Sequence, residues 1–171
     1  WIEQSLKSIL DICKEIVVLD DGSTDDTVKI CENFSQVVDI HSQKNLPFDE
    51  TRDKNTLLKM ALSRNPDFIL TLDGDEVLMP NSKQRLFYEL NVLHANTNLF
   101  ELKELYVWDK PNQYRCDGIF NNTWSKKLFR LKDQPENLQF GRTDFPGNAH
   151  CAAFPNNLIG KNQTVKSKIK V

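Results

Sequence analysis

Two short acidic clusters have the residue types and spacing to do chemistry. The first, VVLDDGSTDDT at 17–27, is an apolar run that ends in Asp20 and Asp21, turns through Gly22, Ser23 and Thr24, and adds Asp25 and Asp26. The second, Asp73-Gly74-Asp75-Glu76, closes another apolar run, DFILTL. Two carboxylates one residue apart, with glycine between them to keep the backbone approachable, can engage Mg²⁺ or Mn²⁺ while the ion keeps other positions for water and phosphate oxygens. A like-charge pair near 4 Å costs about 1 kcal/mol in water and roughly 4 kcal/mol at an effective dielectric of 20. An acidic cleft would therefore repel a diphosphate unless a cation bridged the two.

The first cluster also invites a calcium reading. Asp21, Ser23, Asp25, Thr27 and Glu32 occupy positions 1, 3, 5, 7 and 12 of an EF-hand count. The count fails at position 6, where the sharp turn needs glycine and the chain has Asp26, and it fails upstream, where a helix is needed and an apolar strand is found. A plain turn with a capped helix accounts for Thr24 and Asp25, but not for two acids at the end of an apolar strand.

The elements that must carry these clusters follow from periodicity. Residues 2–12 place Ile2, Leu6, Ile9 and Leu10 at helical spacing, and EIVVLD at 15–20 reads as a short buried strand. From Asp25, with Asp25 or Asp26 as N-cap, Val28, Ile30, Cys31 and Phe34 suggest a helix, and VVDIHS at 37–42 a second strand. TRDKNTLLKMALSRN carries Leu57, Leu58, Ala61 and Leu62 on one helical face before the stop at Pro66. A strand over 67–78 and an amphipathic helix over 82–94 come next. This alternation predicts an α/β fold with a central, mostly parallel sheet flanked by helices. Beyond Asn98, LFELKELYVWD, YRCDGIF and WSKKLFRL alternate roughly by two and predict mixed or antiparallel strands. The basic stretch KNQTVKSKIKV is expected to be a peripheral tail. In open α/β sheets ligands collect at the carboxyl ends of the strands, so the two acidic strand ends should face one crevice.

Composition narrows the partners. At 171 residues the chain has the size of one domain, and 22 basic against 24 acidic residues leave a net charge of −2, so no global field recommends nucleic acid or an anionic membrane. Cys13, Cys31, Cys116 and Cys151 form no CxxC pair and are expected to be reduced thiols. No apolar run approaches the roughly 20 residues needed to span a bilayer and none resembles a signal peptide, so the expectation is a cytoplasmic protein, free or membrane-associated. The chain opens on Trp1 with no preceding strand, which reads as an incomplete N-terminus.

IVVLDDGSTDDT, ETRDKNTLLKMA and FILTLDGDEVL, in this order, resemble the nucleotide-sugar half of family 2 glycosyltransferases with the GT-A fold. The resemblance implies one GT-A-like domain with a nucleotide-sugar-binding half over 1–95, an acceptor-side half over 96–155 and the tail over 156–171. It also implies an inverting transfer of sugar from a nucleotide-diphosphate donor, a UDP-sugar, to an acceptor hydroxyl, with Mn²⁺ or Mg²⁺ as cofactor. Asp20 and Asp21 would recognise the nucleoside, leaving Asp25 and Thr27 a structural role. Arg52 would contact the nucleotide or its diphosphate. Asp53 stands where many members have Asn. Asp73 would touch the ribose or a metal-bound water, and Asp75 would ligate the metal with the diphosphate. His150, in GNAHCAAFP, is positioned like the late histidine that completes the metal site in relatives. KLFRL at 127–131 resembles a segment leading to the acceptor side.

An inverting enzyme needs a carboxylate base, and Asp117 in YRCDGIF is the first candidate, with Asp144 second. Trp108, Tyr114 and Trp124 have ring faces that could stack on sugars, though core packing is the plainer expectation. Two other functions fit the same motifs. A nucleotidyltransferase of similar fold would want a Gly-rich phosphate loop, which the residues present lack, and a non-catalytic nucleotide- or sugar-binding module would need no base.

Overall fold

A computed structural model describes residues 1–44, 46–94, 96–142, 151–161 and 164–171. Helix α1 (Ile2–Ile9) leads into strand β1 (Ile16–Asp20), and α2 (Thr27–Glu32) crosses to β2 (Val37–Ser42), which pairs with β1 in parallel. Helix α3 (Glu50–Leu62) then returns the chain to β3 (Phe68–Leu70). Helix α4 (Ser82–Tyr88) runs on through a π-helical turn, Glu89–Leu93, to β4 (Leu99–Lys103). A small antiparallel hairpin, β5 (Val107–Trp108) and β6 (Lys110–Tyr114), precedes a 3₁₀ turn at Gly118–Asn121, β7 (Trp124–Arg130) and β8 (Thr164–Lys170). The larger sheet has the order β3-β7-β4-β8. Its β3–β7 and β4–β7 pairs are antiparallel and its β4–β8 pair is parallel.

Both faces of the larger sheet are covered, and β3 accordingly reads as an unbroken apolar run. Phe100, Leu102 and Leu128 face a core shared with Leu6 and Ile9 of α1, Ile16 of β1, Cys31 of α2 and Leu86 of α4. Leu99 and Phe129 point the other way and meet Leu58 of α3, Leu138, Phe140 and Leu158. Each fully buried Leu or Phe contributes on the order of 2 kcal/mol. Asn55 ties α3 to the second core: its side chain donates to the Phe140 carbonyl at 2.9 Å and accepts the Phe140 N–H at 2.8 Å.

Two expectations change. Residues 164–170, within the stretch expected to be a peripheral tail, form the edge strand β8, with Ser167 and Ile169 buried while Lys166, Lys168 and Lys170 face solvent. The strand expected over 67–78 is only three residues long, because the chain turns at Asp73–Glu76: the Asp73 N–H donates to the Glu76 carboxylate at 2.9 Å and the Glu76 N–H to the Asp73 carbonyl at 3.0 Å. All four cysteines are free thiols. Among the described residues, no helix is long and apolar enough to cross a membrane.

Candidate active-site cleft

At the end of β1 the chain needs a tight turn, and Gly22 supplies it at φ +87, where a β-carbon would lie 3.3 Å from the Gln43 carbonyl. Asp20 is buried beneath this turn and accepts the Ser23 N–H at 3.1 Å, while the Gln43 N–H donates to the Asp20 carbonyl at 2.9 Å. Asp26 holds the N-cap position of α2 without a side-chain bond to a backbone N–H, its carboxylate pairing with Lys29 at 2.7 Å. Asp25 instead accepts the Thr27 N–H at 3.0 Å, and its hydrogen bonds with Thr27 hold its carboxyl below the usual range.

Gln43 organises what lies behind Asp21. Its Nε2 donates to Asp21 Oδ1 and to Asp53 Oδ1, both at 2.8 Å. Asp53 in turn accepts Arg52 Nε at 2.8 Å. Arg52 sits in the first turn of α3, where Asp49 caps the helix by accepting the Arg52 N–H at 3.0 Å. Its Nη1 donates to the Pro47 carbonyl at 3.0 Å. Its Nη2 lies 2.8 Å from Asp53 but without the alignment of a hydrogen bond, so this buried donor has an unused N–H. Asp53 is thus the acceptor that joins Arg52 to Gln43. Sequence reading missed Gln43 altogether, since one amide in a polar loop carries no periodic or charge signal.

The acidic turn after β3 is held from the other side. Lys127, on β7, is 9 % exposed and places its ammonium 2.5 and 2.7 Å from the two Glu76 oxygens and 4.0 Å from Asp73 and from Glu104. Burial pushes the Glu76 carboxyl above its usual range, an effect its bonds to Lys127 only partly offset. Helix α1 docks on the same turn, with the Leu78 N–H donating to Ser8 Oγ at 3.1 Å.

Asp20 and Asp21 from the first turn share one cleft of about 360 Å³ with Gly74 and Asp75 from the second. Asp25 and Thr27 line it as well, beside Trp1 and Ile2. Asp73 stands on the same turn with its side chain 70 % exposed. Among the described residues no group of three His, Cys, Asp or Glu side chains is arranged to hold a metal ion. The donor set of Asp73 and Asp75 therefore fits a hard cation only as a two-carboxylate site completed by phosphate and water oxygens. Both Asp144 and His150 lie outside the described residues.

Asp117 lines a separate depression with Trp108 and Tyr114. Arg115 Nε and Nη2 donate to its two oxygens at 2.9 and 2.5 Å, and these bonds hold its carboxyl below the usual range. Core packing does not describe Trp108 or Tyr114, which are 63 % and 55 % exposed. Trp124 is half-buried, with Lys166 Nζ 4.8 Å from its ring centroid.

Comparison with known proteins agrees with this architecture. The crystal structure of S. aureus TarS 1–349 matches with a TM-score of 0.52 at 22 % identity, covering 81 % of this chain and 48 % of that one. This chain thus spans about half the length of that crystallised chain, and at such identity the likeness carries the fold alone. No curated protein sequence matches. The model of glycosyl transferase family 2 matches residues 1–140. The chain belongs to glycosyl transferase family 2, and its mixed α/β architecture is the GT-A fold.

Proposed function

We propose that the chain is the donor-binding part of an inverting glycosyltransferase that moves a sugar from a UDP-sugar to an acceptor hydroxyl with the help of a divalent cation. The observation that carries this reading is the shared cleft: the Asp20–Asp21 turn and the Gly74–Asp75 turn face each other across it. Behind Asp21, the Gln43–Asp53–Arg52 relay offers an unused guanidinium N–H. Asp20 and Asp21 accept hydrogen bonds from the uracil N–H and the ribose hydroxyls, and Arg52 turns its free N–H to the diphosphate.

Asp73 and Asp75 would hold Mn²⁺ or Mg²⁺, which would supply charge neutralisation to the leaving diphosphate. The acceptor oxygen attacks the anomeric carbon on the face opposite the diphosphate. The new C–O bond forms as the old one breaks, the nucleoside diphosphate leaves with the electron pair, and the hydroxyl proton passes to a carboxylate. Asp117 is ionised at neutral pH and able to take it, although its ion pair with Arg115 makes it a weak base. That pairing is the observation favouring a second reading, a nucleotide-sugar-binding module that does not turn over.

Calorimetric titration with UDP, with and without Mn²⁺, tests the proposal, followed by release of UDP from UDP-sugars. Mn²⁺-dependent binding, weakened at least about tenfold by Asp75→Ala, is expected. Binding that ignores both Mn²⁺ and Asp75→Ala would sink the metal-assisted mechanism, and binding without any turnover would select the second reading.

A further inference from the structure

The β5–β6 hairpin exposes the rings of Trp108 and Tyr114, and Arg115 braces the first of them. The Arg115 guanidinium carbon lies 3.8 Å from the Phe120 ring centroid and 5.5 Å from that of Trp108. The same guanidinium grips Asp117 through two hydrogen bonds. Tyr106 meets Phe120 edge-on at 4.9 Å. Trp108, Tyr114, Arg115 and Asp117, with the amides of Asn112 and Gln113, line an open depression of about 740 Å³.

Solvated ring faces beside planar amides and a fixed ion pair match one ligand chemistry best. A sugar ring has an apolar C–H face that stacks on an aromatic side chain, and a rim of hydroxyls that each donate and accept. Asn112 and Gln113 do both, Arg115 donates, and Asp117 accepts, so every hydroxyl orientation finds a partner. An acyl chain would leave the Asn112 and Gln113 amides unpaired, at a cost for each.

We propose that this depression binds a saccharide, and that the saccharide is the acceptor of the transfer; this last step rests on the donor reading above. A contiguous frame joins it to the donor turn. Tyr106 Oη donates to Glu104 at 2.7 Å, and that bond pushes the Tyr106 hydroxyl up to about 12, keeping it a donor. Glu104 lies 4.0 Å from the Lys127 ammonium, which holds Glu76 directly behind Asp73.

The test uses the full chain, without nucleotide, and a panel of glucose, galactose, mannose and N-acetylglucosamine trisaccharides. Saturation-transfer NMR and calorimetry read saccharide binding, and a parallel UDP titration reads the donor cleft. At least one trisaccharide is expected to bind with saturation on its ring C–H protons. Trp108→Ala and Tyr114→Ala should each weaken it about tenfold or more, with Trp108→Phe close to wild type and the melting temperature and UDP affinity unchanged. Failure of every trisaccharide to bind wild type overturns the proposal. So does binding that survives both alanine substitutions, or loss in those variants of binding to phosphatidylglycerol vesicles rather than to saccharide. If a trisaccharide binds as expected while UDP does not, the donor reading fails and the saccharide site stands.

Discussion

Replacing Gln43 by glutamate exchanges an amide for a carboxylate of nearly the same shape at the point where Asp21 and Asp53 converge. In the wild type one Nε2 donates to both carboxylates at 2.8 Å. After Gln43→Glu, three carboxylates share that space with no donor between them. A like-charge pair near 4 Å costs about 1 kcal/mol in water and roughly 4 kcal/mol at an effective dielectric of 20. Asp21 is exposed and belongs near the lower figure. Asp53 is mostly buried, but Arg52 at 2.8 Å offsets part of its repulsion. The sum is about 3 kcal/mol, against about 1–2 kcal/mol for Gln43→Ala, which only removes the donor. Acidification should discriminate further. The introduced carboxyl has its pKa raised in the folded state, so the deficit is largest near neutral pH and shrinks as the pH falls toward about 4. Urea unfolding at pH 4 to 8 measures this, and UDP titration at pH 7 should show about tenfold weaker binding as Asp21 is pushed from its place. If Gln43→Glu matches wild type within 0.5 kcal/mol at pH 7, the relay is not the organising feature inferred here.

Two further outcomes follow from buried charge. Glu89 is 2 % exposed, and although burial alone would raise its pKa, bonds from Ser167, Arg85 and the Lys168 N–H together bring it below the ordinary 4.5. A depressed carboxylate contributes stability above its unfolded pKa that is lost as pH falls through the folded one. Glu89→Gln should therefore cost about 2 kcal/mol at pH 7 and flatten the loss of stability below pH 4.5, as followed by thermal unfolding. Lys127→Met leaves Glu76 without its cation and should cost about 3 kcal/mol, and Lys127→Met with Glu76→Gln should recover most of it in a double-mutant cycle.

How much of this was legible in the sequence depended on how local the signal was. An apolar run that stops in two acids is a property of six or seven neighbouring residues, so β1 with its Asp20–Asp21 turn could be read directly. The three-residue β3 could not, because its length is set by the reciprocal Asp73–Glu76 bonds and by Lys127 arriving from β7, 51 positions later. The strand β8 shows a different failure. Its period-two pattern is present in TVKSKIK, with Ser167 and Ile169 inward between lysines, but the lysine count masked it. Gln43 had no local signature, since its role arises only when separate loops meet, and Trp108 and Tyr114 are exposed because they sit on a small hairpin outside the larger sheet.

Lys127 links the Asp73–Glu76 turn to the frame that carries the hairpin. On one side its ammonium holds Glu76, whose carboxylate receives the Asp73 N–H and so fixes the turn bearing Asp75. On the other it faces Glu104, which Ser125 and Tyr106 also hold, and Tyr106 meets Phe120 under the Arg115–Asp117 pair. A transfer reaction needs its two reactants within about 3–3.5 Å of each other, and sites on rigid strands meet that demand better than sites on independent loops. The buried lysine is costly to desolvate, so its placement on β7 is better explained by positioning than by stability. A substitution that preserves folding but replaces this ammonium with a longer, planar cation, such as Lys127→Arg, should leave UDP and saccharide binding separately intact and slow only the transfer between them.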